Sequence, residues 1–151
     1  MNAIKKFESF YVNLESMKVE ELADIYSSDV VFIDPIAAHS GITSVKSYFT
    51  KLLRNAKHCT FAIHSIQKIE AKKNAAVDEG ALEEYLVTWK MTFATSGVNK
   101  GKPIFVDGIT QLKIVDDKIT FHRDYYDLGQ MVYENIPLLG RIIKRIKRTL
   151  G

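Results

Sequence analysis

Residues 85–93 have the sequence YLVTWKMTF, in which a large apolar side chain occupies every second position. Side chains two residues apart point to the same face of a β-strand, so this alternation predicts a long strand with one apolar and one polar face. The apolar face consists of Tyr85, Val87, Trp89, Met91 and Phe93, and the polar face includes Glu84, Thr88, Lys90 and Thr92. We expect the apolar face to point into the protein.

The same period of two appears on both sides of this strand. Upstream, Phe61 and Ile63 share a face, and downstream one face holds Ile104, Val106, Gly108, Thr110 and Leu112. Residues 71–80 and 95–101 are rich in turn-forming residues, and Asp116-Asp117 precedes a last strand over about residues 118–126. These segments predict a meander of long antiparallel strands.

Helical spacing dominates the start of the chain. Apolar side chains recur three and four positions apart in two successive segments, which is typical of amphipathic helices. The first segment contains Ile4, Phe7, Phe10, Tyr11 and Leu14, and the second, after Met17, contains Leu22, Ile25 and Tyr26. We therefore predict two helices ahead of the first strand.

The run of residues 30–33, VVFI, is β-branched and aromatic and predicts a short strand. This strand ends at Asp34, because the proline that follows disfavours both a helix and central strand pairing. A third helix begins after Gly41, with Thr43 as its predicted cap. Helices first and a strand meander afterwards predict an α+β fold rather than an alternating parallel one.

Length and composition limit the class of protein. With 151 residues, 46% of them hydrophobic and 26% charged, the chain suits a single globular domain. No run of roughly 18 apolar residues indicates a membrane span, and no export signal is visible. The single cysteine, Cys59, excludes an internal disulfide, and no His/Cys spacing indicates a zinc site. We therefore expect a cytoplasmic protein without a metal.

Two segments resemble known families. Residues 22–35, LADIYSSDVVFIDP, followed by Gly41 and a helix, resemble the opening of ketosteroid isomerase and of SnoaL-like cyclases. Residues 122–128, HRDYYDL, resemble the closing strand of limonene epoxide hydrolase. Together with the order of elements, the resemblance extends to about Tyr133.

The resemblance implies the cone-shaped fold of the nuclear transport factor 2 superfamily. In that fold three N-terminal helices pack on a strongly curved, mostly antiparallel sheet, and a hydrophobic pocket opens at the end of the cone. It also implies a homodimer through the outer sheet face and chemistry without a cofactor. We expect a SnoaL-like domain over residues 1–135 and a helical extension over residues 136–151.

By this resemblance, Asp34 matches the general base of the isomerase family. A carboxylate at the rim of an apolar cavity loses hydration, which favours its protonated form and suits it to proton transfer. The alternative is that Asp34, which precedes a proline, only bonds backbone amides in a turn. Tyr11 aligns with the family's oxyanion-binding tyrosine, whereas Thr110 stands where the family has a protonated aspartic acid. Full isomerase chemistry on a steroid is therefore not expected.

Asp124 matches the aspartate that donates a proton to the epoxide in the hydrolase. Strand alternation places His122 and Tyr126 on the same inward face. The hydrolase also requires an Arg-x-Asp pair on its third strand, which this chain lacks in either register. Asp124 therefore either takes part in acid/base chemistry, together with Asp34 across the pocket, or anchors its neighbours. His122 either relays a proton or is a satisfied core residue, the reading we favour.

The remaining inward-facing side chains predict the nature of the pocket. Its predicted wall consists of Phe32, Trp89, Met91, Phe93, Ile104, Val106, Thr110 and Tyr126. The same side chains would otherwise form ordinary core. We expect a small hydrophobic ligand, flat or terpenoid-like, with one polar group near the two aspartates. The two functional hypotheses are cofactor-independent acid/base catalysis and a non-catalytic ligand-binding or assembly module.

The C-terminal tail is strongly basic. Five cationic residues and no acid lie between Arg141 and Gly151, so of the net charge of +3 the rest of the chain carries −2. That body is not expected to bind nucleic acid. The residues after Pro137 predict a cationic amphipathic helix. We expect its apolar stripe to cover the mouth of the cone or a neighbouring subunit, and the alternative is an anionic membrane surface.

Overall fold

A computed structural model describes residues 1–70 and 82–151. Its α-helices are α1 (Ala3–Val12), α2 (Leu22–Ile25), α3 (Ile42–Asn55), α4 (Leu128–Met131) and α5 (Pro137–Leu150). Its strands are β1 (Tyr26–Ile33), β2 (Ala38–Ser40), β3 (Ala56–Ile69), β4 (Glu83–Thr95), β5 (Ile104–Val115) and β6 (Lys118–Tyr126). The predicted α+β class, with three helices ahead of a strand meander, is confirmed.

The described strands form one curved sheet in the order β2-β1-β6-β5-β4-β3. Only β1 and β6 pair in parallel among them, and the other neighbours are antiparallel. Register shifts within β1, β3 and β6 add bulges, which bend a strand and increase its twist. The helices α1 and α3 pack on the concave side, so the core lies between them and the sheet.

The predicted strand faces are confirmed. Alternate residues of β4, from Val87 to Phe93, are buried, and so are alternate residues of β5. The hairpin between β5 and β6 turns at Asp116 and Asp117, whose φ angles of 49° and 57° define a tight two-residue turn. The predicted turn over residues 71–80 lies outside the described residues.

Several element boundaries differ from the prediction. Tyr26 was assigned to the second helix, but that helix ends at Ile25 and Tyr26 begins β1. The third helix begins at Ile42, directly after Gly41, so Thr43 is inside it rather than at its cap. Neither β2 nor α4 was predicted, since segments of three and four residues are too short to show a period.

The C-terminal helix α5 forms as predicted but packs differently. Pro137 occupies its first turn, where a missing N–H costs nothing. Gly140 lies against the backbone of Glu134, and Lys147 forms ion pairs with Glu134 and Asp127. The predicted covering of the cone's mouth is wrong, because this edge, rather than the apolar stripe, contacts the body and Leu138, Ile142 and Ile146 remain exposed.

Substitution of Gly140 tests this docking. A Cβ atom at position 140 would lie 2.2 Å from the carbonyl oxygen of Glu134, so Gly140→Ala forces α5 away from the body. An undocked helix of this length is marginal in water, so we expect amide hydrogen exchange in α5 to accelerate about tenfold or more. Leu138→Ala, at an exposed position of the same helix, is the control. Equal exchange in both variants and the parent chain would contradict this packing.

Candidate functional site

A small cavity opens on the concave side of the sheet between α1, α3 and the strands. Its volume is about 40 Å³. Seven aromatic and four aliphatic or thioether side chains surround two carboxylates, Asp34 and Asp124. The aromatic members are Tyr11, Phe32, Tyr48, Phe49, Phe61, Trp89 and Tyr126, and the others are Ile36, Leu52, Met91 and Met131. Among these described lining residues none is a lysine, an arginine or a histidine.

Asp34 lies at one side of this cavity, and both oxygens of its carboxylate accept hydrogen bonds. One carboxylate oxygen, Oδ1, accepts hydrogen bonds from the amides of Ile36 and Ala37, each at 2.8 Å. The other oxygen accepts the hydroxyl of Tyr48, which comes from α3. The Asp34 amide closes the turn by donating to the carbonyl of Ala37 at 3.0 Å. This geometry favours the turn-forming interpretation of Asp34, because three donors occupy both oxygens of its carboxylate.

Asp124 lies on β6, and buried side chains behind the cavity wall bind one oxygen of its carboxylate. Its Oδ1 atom accepts the hydroxyl of Thr110 and lies 2.9 Å from Nε2 of His122. The indole of Trp89 donates to the Thr110 hydroxyl at 2.8 Å. Gly108 makes room for this indole, since a Cβ at that position would lie 2.2 Å from the ring. In the described part of the chain, no side chain or amide bonds the second oxygen, Oδ2.

The hydrogen-bonded chain continues beyond His122 into the core. Nδ1 of His122 lies 2.9 Å from the hydroxyl of Tyr26, which lies 2.9 Å from the hydroxyl of Tyr11. One arrangement of protons satisfies all of these groups. Tyr11 donates to Tyr26, Tyr26 donates to Nδ1, and Nε2–H donates to Oδ1 of Asp124. We call this set of residues, Tyr11, Tyr26, His122, Asp124, Thr110 and Trp89, the buried polar chain.

The tyrosines of the site act as neutral donors. Burial raises the pKa of Tyr11 and of Tyr26 well above the usual range. Burial, with the nearby Asp34 carboxylate as the next cause, also raises the pKa of Tyr48 and of Tyr126. Each phenol therefore keeps its proton near neutral pH, and the Tyr48 hydroxyl stabilises the Asp34 carboxylate by donating to it.

The structure brings most of the predicted site residues together. Tyr11, Asp34 and Asp124 line the same cavity, as do the predicted wall residues Phe32, Trp89, Met91 and Tyr126. Thr110 and His122 lie one layer behind it, where both are buried and bonded to Asp124. For His122 this placement agrees with the interpretation as a satisfied core residue.

Four predicted wall residues lie outside the cavity wall, and one of them is Thr110 in the layer behind it. Phe93, Ile104 and Val106 belong to the hydrophobic core and are absent from the cavity wall. Phe93 and Ile104 are paired neighbours at the end of the β4–β5 ladder, while the cavity lies towards Trp89 and Met91. Alternation places all of these side chains on the inward face but does not give their position along the strand.

Several residues of the site were not predicted. Tyr48, Phe49 and Leu52 belong to the apolar stripe of α3, and Phe61 belongs to β3. Tyr26 was placed on the wrong element. The usable signal was the tyrosine itself, because a hydroxyl within an apolar stripe requires a buried partner.

A second hollow has different properties. It is open, has a volume of about 290 Å³ and is lined by Glu15, Leu53, Ala56, Lys57 and Cys59. The Glu15 carboxylate is occupied by the amide of Cys59 and by His58. Burial raises the pKa of the Cys59 thiol to about 12, so it is not a nucleophile near neutral pH. In the described ranges no three His, Cys, Asp or Glu side chains are grouped to hold a metal ion.

The buried polar chain is testable through Tyr26. Tyr26→Phe leaves Nδ1 of His122 without a donor and the Tyr11 hydroxyl without an acceptor, both inside the core. We expect the free energy of unfolding to fall by about 1–3 kcal/mol, measured by chemical denaturation. Tyr125→Phe removes the hydroxyl of an exposed tyrosine on the neighbouring strand β6 and should change stability by less than about 0.5 kcal/mol. Equal losses of stability in the two variants would contradict the hydrogen bonds assigned to the buried polar chain.

Comparison with known families agrees with this architecture. Residues 7–122 match the family model described as a SnoaL-like domain. No curated protein sequence matches the chain.

Solved structures show the same fold at low identity. One is a protein from Catenulispora acidiphila DSM 44928 with a ketosteroid isomerase-like fold, in complex with trimethylamine. It is 15% identical to this chain, and the TM-score is 0.67. The match covers 89% of this chain and 93% of that chain. An NTF2-like protein of unknown function from Burkholderia pseudomallei K96243 is 12% identical, with 87% and 95% covered and a TM-score of 0.66. A candidate SnoaL-like polyketide cyclase from Jannaschia sp. CCS1 is 12% identical, with 85% and 88% covered and a TM-score of 0.65.

Proposed function

The chain belongs to the SnoaL-like domain family, and on this basis we propose that it binds a small, mainly apolar molecule and exchanges a proton with it through Asp124. The observation that carries the proposal is the position of the Asp124 carboxylate. Its Oδ1 atom is fixed by His122 and Thr110 in the layer behind, while the carboxylate contributes to the wall of an aromatic cavity. Oδ2 is thus the atom that meets a ligand.

The cavity wall selects the ligand's shape and polarity. Aromatic side chains favour an apolar body, and the two carboxylates favour a group that donates a proton or hydrogen bond. A volume of about 40 Å³ is well below the roughly 300 Å³ of typical ligand pockets, so a compact molecule is favoured over a terpenoid. Larger molecules require displacement of wall residues such as Ile36, which is 53% exposed.

Acid/base catalysis requires a group that takes a proton from one ligand atom and returns it to another. A carboxylate held rigidly by one oxygen, with the other oxygen directed at the ligand, meets this requirement for isomerisation or cyclisation. Tyr126 lines the same cavity and keeps its proton, so its hydroxyl is the neutral donor for a developing oxyanion, whereas the hydroxyls of Tyr11 and Tyr48 already donate to Tyr26 and Asp34. Asp34 then acts as a fixed charge rather than as the mobile base.

A second candidate is binding of a small ammonium ion without turnover. The cavity combines seven aromatic side chains with two carboxylates, and no lysine or arginine of the described chain lines it. Aromatic faces attract ammonium groups, and carboxylate oxygens accept hydrogen bonds from them. This arrangement favours a compact alkylammonium ligand.

A small β,γ-unsaturated ketone tests catalysis. Conversion of pent-4-en-2-one to its conjugated isomer needs a proton removed beside the carbonyl and returned at the far carbon, and ultraviolet absorbance follows it. We expect Asp124→Asn to lower the catalysed rate at least about 100-fold. Asp107→Asn, on the exposed face of β5, should retain it. Isomerisation that survives Asp124→Asn would refute the assignment of Asp124.

Titration with trimethylammonium tests the second candidate on the same variants. The indole resonance of Trp89 is a direct reporter, since the sequence contains a single tryptophan and its ring lines the cavity. Ammonium binding that weakens about tenfold or more in Asp124→Asn, without isomerisation by the parent chain, selects the binding function. Absence of both binding and isomerisation would contradict a ligand site in this cavity.

A homodimer through the outer sheet face is part of the proposal. Phe105, Ile109 and Tyr125 are exposed on that face, and Ile109 and Tyr125 are paired neighbours in the β5–β6 ladder. An exposed apolar group of this kind supports association of two copies.

A further inference from the structure

The helix α5 presents an apolar surface that the described body of the protein leaves uncovered. Leu138 is 71% exposed, and Ile142 and Ile146 are 49% and 52% exposed. These residues follow helical spacing together with Leu139 and Leu150, so they form one continuous stripe. We call it the apolar stripe of α5.

The other side of α5 carries its charges. Arg141, Lys144, Arg145 and Arg148 are exposed, and the helix contains no acidic residue. Lys147 differs from these four because it is paired with Glu134 and Asp127 of the body. Four cations therefore remain on the helix surface beside the apolar stripe.

The docking edge of α5 keeps both surfaces accessible. Gly140, which is buried, packs on the backbone of Glu134, and Lys147 lies on the same edge two turns later. The stripe and the cationic face lie to either side of this edge. The helix is thus held to the body by this edge, and its apolar stripe remains exposed to solvent.

We infer that α5 binds the protein to an anionic lipid bilayer. A bilayer of this kind is complementary to both surfaces, since it offers hydrocarbon to the stripe and negative headgroups to the four cations. A second copy of α5 would instead bring two like-charged helices together. The exposed apolar residues of the outer sheet face are an equally poor partner, because Lys90 and Arg123 are exposed there.

The dimensions of α5 fit a helix lying in the plane of the membrane. Fourteen residues span about 21 Å, which is shorter than the hydrocarbon core of a bilayer. Among the helices of the described residues, none is long and apolar enough to cross a membrane. Insertion of the stripe between headgroups places the axis parallel to the surface and leaves the body in water.

Flotation of the full chain with vesicles tests this inference. We expect flotation with phosphatidylcholine vesicles containing 30% phosphatidylserine, little flotation with phosphatidylcholine alone, and loss of binding as salt concentration rises. Replacing Arg141, Lys144, Arg145 and Arg148 by glutamine should lower the partition coefficient at least about 100-fold, because each cation contributes roughly fivefold. Ile142→Ser with Ile146→Ser should abolish flotation.

Matched controls lie elsewhere on the surface. Lys51→Gln with Lys102→Gln removes exposed charge, and Val12→Ser removes exposed apolar area, so both should float like the parent chain. Circular dichroism of each variant checks that the fold is retained. Absence of flotation from anionic vesicles would overturn the inference. So would a halving of the molecular mass by Ile142→Ser with Ile146→Ser, because the stripe would then be an interface between copies.

Discussion

A carboxylate inside an aromatic cavity is stable only if hydrogen-bond donors replace the water that it loses. For Asp124 these donors come from separate parts of the fold. Thr110 on β5 and His122 on β6 hold it directly, and Trp89, Tyr26 and Tyr11 extend the contacts to β4, β1 and α1. The buried polar chain therefore joins the first helix, the parallel strand pair and the meander through one set of mutually dependent contacts.

The two carboxylates of the cavity are held in different ways. Asp34 is bonded to its own turn and to Tyr48, so its position depends on local backbone and α3. Asp124 is bonded through one oxygen to residues that are themselves buried, so it is oriented without being fully occupied. Orientation by a supporting layer is what proton transfer requires, because small displacements of a reacting group lower its rate strongly.

The sequence predicted those features of the fold that follow from a regular spacing of apolar residues. Alternation from Val87 to Phe93 identified β4 and its inward face, and the tail's spacing identified α5. Tyr26 was misplaced because a residue four positions after Leu22 fits a helix as well as the start of a strand. Its partnership with His122 depends on the parallel pairing of β1 with β6, a contact between residues 96 positions apart that no local pattern contains.

The site was predicted less completely than the fold for a related reason. A period gives the face on which a side chain lies, whereas a cavity also depends on depth along the strand and on what packs opposite. Phe93 and Phe61 illustrate this: both point inward, yet only Phe61 lines the cavity. Likewise, the amphipathic pattern of α5 predicted a buried stripe, but the close approach allowed by Gly140 turns a different edge to the body.

The most direct test of this account is the tautomer of His122. A long-range proton–nitrogen NMR correlation, with the His122→Gln variant to assign the signals, distinguishes the two ring nitrogens. The account predicts a proton on Nε2, donated to Asp124, and a bare Nδ1 that accepts the Tyr26 hydroxyl. A proton on Nδ1 with a bare Nε2 would contradict it, because Oδ1 of Asp124 would then lose the His122 donor and the Tyr26 hydroxyl would lose its acceptor.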